Sequence, residues 1–269
     1  VSALWGLHGS ADGSWGNLIL PAEQEFVKRG RIKAYKMLSW ENPATVQWLA
    51  PHGVDLVLVR IMLQGEQLAS PQSAWAASRE AVHAHYAAGV RLFELHNEPN
   101  LSIEGGCGAR WNGGAGFAKW ITGLSLLIKA ELPDALLGWP GLSPGGALPS
   151  FREPWRQFLI DAVNVGAMSA VDWVGCHCYW QAVPGLTNPN EGNHYKEYAR
   201  FGKAIFITEF SNPAEGVDKA EKARQYVQYV HNLDSTVRAA FAFVSSASGE
   251  QFAHEVWTND MADIVGQRL

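Results

Sequence analysis

Eight short runs of β-branched and apolar residues alternate along this chain with amphipathic stretches, and that alternation restricts the possible folds more than any other feature. The runs are Ala3 to Gly9, Lys33 to Trp40, Val54 to Met62, Arg91 to Asn97, Ala135 to Gly141, Asp172 to Tyr179, Ala204 to Glu209 and Val237 to Ser245. Strands separated by helices run parallel, each crossover helix packing on the outside of the sheet. The helical period is plain after the fourth run, where Phe117, Trp120, Ile121, Leu124, Leu127 and Ile128 recur at threes and fours and Pro133 ends the pattern. It returns after the seventh run in Ala220, Ala223, Tyr226, Val227, Val230 and Leu233, with Asp218 and Glu221 spaced as a capping box. Eight such units leave no segment for a second sheet and favour a closed (β/α)8 TIM barrel over an open doubly wound sheet. A length of 269 residues suits one barrel, so residues 1–269 are expected to form a single α/β domain.

Composition narrows the function. With 47% hydrophobic and 17% charged residues the chain can bury a large core, which excludes disorder. No run approaches the roughly 18 apolar residues of a membrane span. A net charge of −5 with interspersed signs offers neither a basic stripe for nucleic acid nor a polybasic segment for lipid, so neither partner is expected. The first residues, Val1-Ser2-Ala3-Leu4-Trp5, lack the basic and apolar regions of a signal peptide; the first is not Met, and the compartment, secreted or cytoplasmic, stays open. Three cysteines cannot all pair, and Cys176 and Cys178, two apart on one predicted strand, would form a strained bridge; free thiols are expected.

Barrel enzymes build their sites where the strands end. The fourth run ends in Leu95-His96-Asn97-Glu98-Pro99-Asn100, and strand alternation puts Glu94, His96 and Glu98 on one side, a costly row of polar groups unless paired or working. The seventh ends in Ile205-Phe206-Ile207-Thr208-Glu209-Phe210-Ser211, with Glu209 at the mouth. Two carboxylates facing across a sugar are what glycosidic cleavage needs: a neutral one to protonate the leaving oxygen and an ionised one beneath the oxocarbenium-like centre. Their separation sets the stereochemistry, about 5–5.5 Å for retention and about 6.5–9.5 Å for inversion.

With these residues the chain resembles the large clan of retaining glycoside hydrolases on (β/α)8 barrels, whose acid/base and nucleophile glutamates sit on strands four and seven. Asn97-Glu98-Pro99 is similar to that clan's Asn-Glu-Pro, and Glu209 lies within Ile207-Thr208-Glu209-Phe210. The resemblance implies Glu98 as acid/base, Glu209 as nucleophile and Asn97 as the residue holding the sugar's 2-hydroxyl. Arg60, a charge in the apolar run Val57-Leu58-Val59-Arg60-Ile61, should not be buried unpaired and resembles the clan's arginine near the nucleophile. Alternation puts His177 and Tyr179 on one face, where the clan often has a His and a Tyr beside the nucleophile. A Tyr179 hydroxyl donating to Glu209 would hold it ionised, although both residues could equally be satisfied core groups. The chain departs from the clan in having no Trp at the end of strand eight, where Phe243 or Trp257 would substitute, and in carrying His96 before Asn97, able to bond Glu94 or act on Glu98.

His8, at the end of the first strand, could contact a sugar hydroxyl. Twelve tryptophans are more than core packing requires, and Trp40, Trp139 and Trp180 at strand ends, with Trp15, Trp111 and Trp257 in the following loops, are read as stacking platforms for sugar rings. Rival motifs fail on physical grounds. Gly141-Leu142-Ser143-Pro144-Gly145 has the spacing of a serine-hydrolase elbow, but Pro144 has no N–H for an oxyanion hole. His83 and His85 point to nearly opposite faces of a helix, and no phosphate-binding or dinucleotide motif follows a strand; no metal and no cofactor are indicated. Asn100-Leu101-Ser102 fits a glycosylation sequon beside the expected site, where modification is not expected. The residues and the resemblance together predict a retaining glycoside hydrolase, cleaving β-linked oligo- or polysaccharide in an open groove and cutting within chains, with carbohydrate as its partner. A non-hydrolytic glycan-binding barrel is the alternative. A barrel acting on a phosphorylated substrate has less support, since Asn212 to Val217 and Ala247 to Glu250 hold one Gly each. The sugar and the oligomeric state are not read from the sequence.

Overall fold

The computed structural model describes residues 3–12 and 16–268. Strands β1 (Leu4–His8), β2 (Ala34–Leu38), β3 (Leu56–Arg60), β4 (Leu92–Glu94), β5 (Leu136–Trp139), β6 (Trp173–Tyr179), β7 (Ala204–Ser211) and β8 (Val237–Ala242) pair in chain order, all parallel, and β8 closes on β1. This is the (β/α)8 barrel expected from the alternation. Around it lie α1 (Pro21–Arg29), α2 (Ala44–Leu49), α3 (Pro71–Ala87), α4 (Gly113–Glu131), α5 (Trp155–Asn164), α6 (Lys219–His231) and α7 (Asn259–Arg268). The crossover from β6 to β7 is made instead by 3-10 helices, chiefly Gly192–Phe201. No helix among the described residues is long and apolar enough to cross a membrane.

Local chemistry explains the element ends. The Asp218 side chain accepts from the Glu221 backbone N–H at 2.8 Å and so caps α6 as its spacing suggested. Gly114 lets α4 lie against α5, since a Cβ there would sit 1.7 Å from the Phe158 carbonyl oxygen. β4 stops after three residues because the chain leaves the extended conformation: His96 and Glu98 have φ of 94° and 32°. Side chains in that left-handed region are strained, a condition that clusters at functional sites.

The two faces of the strands feed two cores. Outward residues such as Tyr35, Met37, Val59 and Phe93 join the helices in one large apolar cluster. Inward residues Ala34, Leu58, Trp173, Phe206, Ala239 and Phe241 make a separate plug in the lower barrel. Two residues further along the strands the inward positions become Lys36, Arg60 and Glu94, so the interior changes from apolar to charged towards the strand ends. Glycine makes room for this layer: a Cβ on Gly138 would lie 2.2 Å from the Trp173 ring, and one on Gly141 would lie 2.1 Å from the His177 ring.

Candidate active site

The strand ends converge on a cleft of about 460 Å³ whose walls include His8, Arg60, Asn97, Glu98, Tyr179 and Glu209. That volume is within the range of small-ligand sites. A larger cavity of about 550 Å³ opens at the other end of the barrel, against Leu56, Leu92 and Leu136; Asp55 is the single carboxylate in its described lining, so it holds no carboxylate pair.

Glu209 is the hub. Its Oε1 lies 2.6 Å from Arg60 Nη1, 3.5 Å from Lys36 Nζ and 3.7 Å from His8 Nε2. Its Oε2 accepts from the Tyr179 hydroxyl at 2.5 Å and lies 3.6 Å from His177 Nδ1. A shift in the β6–β7 register between Cys176 and His177 sets His177 opposite Glu209; Tyr179 lines the cleft and His177 lies buried against Glu98 and Glu209, while Cys176 and Cys178 stay buried as free thiols. Arg60 Nη2 meets His177 Nε2 at 3.1 Å. A guanidinium can only donate, so the ring proton sits on Nδ1, which donates to Glu98 Oε1 at 2.9 Å. The two distances from His177 Nδ1, 2.9 Å to Glu98 and 3.6 Å to Glu209, bound the gap between these carboxylate oxygens at about 6.5 Å.

Electrostatics follow from burial and pairing. Burial alone would raise the Glu209 carboxyl, but His177, Arg60 and Lys36 outweigh it and hold the group well below the usual carboxylate range. Glu94 behaves alike: it is fully buried, yet Arg60 Nε at 2.7 Å and Lys36 Nζ at 3.1 Å keep it ionised. Burial, with Arg60 beside it, lowers Lys36 to about 8. Burial and Lys36 push His8 well below its ordinary value, so it faces Glu209 as a neutral ring.

Other sequence expectations need correction. His96 does not share a face with Glu94 and Glu98, because β4 has ended and the left-handed turn swings its ring outward against Trp111, Phe117 and Trp120. Its Nε2 bonds the Glu104 carbonyl at 2.7 Å, and burial lowers it to about 4. Of the six tryptophans read as platforms, the five among the described residues do not line the cleft. Trp139 is fully buried against Phe117, Trp180 packs on Phe210 and Tyr229 and donates to Gln225, and Trp257 is buried between Trp5 and Phe26. Each lies at a strand end or in a loop but points to the helices. Trp40 is half-buried in a separate depression with Glu41, Asn42 and Pro43, outside the cleft. Trp111 is buried and donates to the Pro99 carbonyl at 2.8 Å, bracing the loop that carries Glu98. Trp15 lies outside the described residues. The rings that do line the cleft are Tyr179, Phe243 and Phe252, so Phe243 occupies the end of β8. Asn100 is buried and stitches the β4 and β5 loops, its carboxamide bonding the N–H and carbonyl of Ser143 and the Glu153 carbonyl.

Sequence reasoning missed three charged residues. Lys36 had a usable signal, an inward charge on an apolar strand, the argument applied to Arg60. Glu104 and Glu255 had none, since they come from loops after β4 and β8 whose paths only the folded chain defines. Both line the cleft, and burial raises each to about 7.

No family model matches this chain, and neither does any curated protein. Solved structures do resemble it. An endo-beta-1,3-glucanase of glycoside hydrolase family GH128 (subgroup II) from Sorangium cellulosum is 17% identical, with a TM-score of 0.64 over 97% of this chain and 98% of that one. A curdlan-specific exo-beta-1,3-glucanase of GH128 (subgroup III) from Blastomyces gilchristii, in complex with glucose, is 15% identical, with a TM-score of 0.57 over 98% and 96%. A fungal beta-1,4-galactanase is 12% identical, with a TM-score of 0.64 over 100% of both chains. The likeness is one of fold. It extends over nearly the whole length of each chain.

Proposed function

We propose that the chain is a retaining glycoside hydrolase, one catalytic barrel acting on β-linked glycan, with Glu209 as nucleophile and Glu98 as acid/base. The observation that carries this reading is the convergence of both glutamates on His177 Nδ1. Oxygens no more than about 6.5 Å apart leave little room for the extra water that an inverting enzyme places between its carboxyl groups. The solved structures of similar fold add weight, since those named act on β-1,3-glucan and β-1,4-galactan.

In the proposed reaction Glu209, kept ionised by Arg60 and Lys36, attacks C1. The C1–oxygen bond breaks as Glu98 gives its proton to the leaving oxygen, and a glycosyl ester forms on Glu209. Water then attacks C1 from the leaving-group side, passes a proton to Glu98 and frees Glu209. His177 orients Glu98, Tyr179 aims Glu209, Asn97 meets the 2-hydroxyl, His8 another hydroxyl, and Phe243 the ring face. The open cleft accords with cleavage within chains.

Azide assigns the two glutamates. With an activated aryl β-glycoside, E98A should give the β-glycosyl azide, because attack on the glycosyl enzyme comes from the leaving-group side. E209A should give the α-glycosyl azide by direct displacement. A wild-type enzyme whose first product is the α-anomer, or an E209A variant that keeps full turnover, would overturn the assignment. A protein that binds glycan but never cleaves it would instead be a binding barrel.

A further inference from the structure

Glu104 ends a short 3-10 helix, Ser102–Glu104, in the loop after β4, and its side chain, 14% exposed, enters the cleft beside Glu98. No step of the reaction above uses it. Its Oε1 accepts from Asn97 Nδ2 at 3.0 Å, its Oε2 lies 3.7 Å from His96 Nε2, and its own carbonyl takes the His96 Nε2 proton at 2.7 Å. The other atom of the same carboxamide, Asn97 Oδ1, is buried and has no hydrogen-bond partner. A carboxylate can only accept, so it fixes which end of the amide faces it and thereby which end is left over. A buried acceptor without a partner is unfavourable until a donor arrives.

We propose that Glu104 is a positioning residue that locks the Asn97 carboxamide by holding its Nδ2, so that Oδ1 is the end left to accept a hydrogen bond from the substrate's 2-hydroxyl. This rests on the hydrolase reading. It gives the 2-hydroxyl a fixed acceptor at the residue next to Glu98, so sugar configuration at C2 is read by a pair, Asn97 and Glu104, and not by Asn97 alone. The groups facing Glu104 are His96 on its own loop and Glu98, Arg60 and Glu209 across the cleft, with Arg152 on the far wall. Burial raises the carboxyl to about 7 against the bond from Asn97, with Glu98 adding to the rise. A protonated Glu104 can donate, so the amide loses its fixed sense as pH falls through that value.

The test pairs each protein with an aryl β-glucoside and its 2-deoxy analogue. Intrinsic reactivity cancels when the ratio of their kcat/KM values is compared between proteins. E104A should reduce the wild-type ratio by about tenfold, the scale of one hydrogen bond, and E104Q, which can still bond Asn97 in either sense, should fall between them. An equal loss on both substrates, or an unchanged ratio, overturns the proposal. A readout without turnover is the Asn97 side-chain amide resonance, assigned by its absence in N97D. It should titrate with a midpoint near 7 in the wild type and be flat in E104Q. A flat wild type, or titration persisting in E104Q, is likewise contrary. If the wild type cleaves no β-glycoside, the hydrolase reading falls, and the resonance alone decides whether Glu104 governs Asn97.

Discussion

Replacing Arg60 by Met would remove the closer of the two cations, Arg60 and Lys36, that touch both buried carboxylates. Its Nε is 2.7 Å from Glu94 and its Nη1 2.6 Å from Glu209, and the residue is 3% exposed. At an effective dielectric of about 20, each contact is worth about 6 kcal/mol of attraction. Desolvation of the guanidinium and repulsion from Lys36 offset much of that, which brings the expected loss to the range of about 3–5 kcal/mol measured when a buried pair is broken. For a chain of this size that is about 10 °C in Tm. The pH dependence gives a sharper check. Glu94 and Glu209 have folded-state values below the ordinary 4.5, so their stabilisation is complete above that pH and is lost as pH falls through the lowered values. R60M has lost the depression, with Lys36 left alone between two carboxylates at 3.1 and 3.5 Å. Its deficit against the wild type should therefore be full at pH 7 and shrink by pH 3.5. Urea unfolding at both pH values measures it. A deficit below about 1 kcal/mol, or the same deficit at both pH values, would refute the claim that this ion network organises the site.

Three further outcomes follow from the geometry. Y179F removes the hydroxyl that Glu209 accepts at 2.5 Å and should lower kcat/KM on aryl β-glycosides about tenfold or more, the scale of a bond to a charged group; unchanged kinetics would show that Tyr179 only packs. G141A would put a Cβ 2.1 Å from the His177 ring, displace it from Glu98 and cost at least about 1–3 kcal/mol of stability along with activity; a crystal structure with His177 unmoved contradicts this. Glu255 has a folded-state value raised to about 7 by burial, so it destabilises the fold as pH rises from about 4.5 to 7. E255Q should therefore be more stable than wild type at pH 8 by about 1–3 kcal/mol and equal to it at pH 4, and a loss of stability at pH 8 is the contrary result.

The barrel and the ends of strands four and seven were legible in the linear order of residues. Both depend on short-range regularities: the apolar period within each unit, the Asp218 cap, the turn-forming residues after strands, and the two-residue alternation that sends Arg60, His177 and Tyr179 inward. Alternation holds only while the backbone remains extended, which is why it failed for His96, one turn past the end of β4. The remaining features depended on packing between distant parts of the chain. A tryptophan at a strand end can face the helices or the cleft, and composition cannot tell which; packing put Trp139, Trp180 and Trp257 into the core and left Phe243 at the mouth. Glu104 and Glu255 sit on irregular loops with no period to read. They became part of the cleft only when the barrel closed, because contacts between loops from distant units depend on the path of the whole chain.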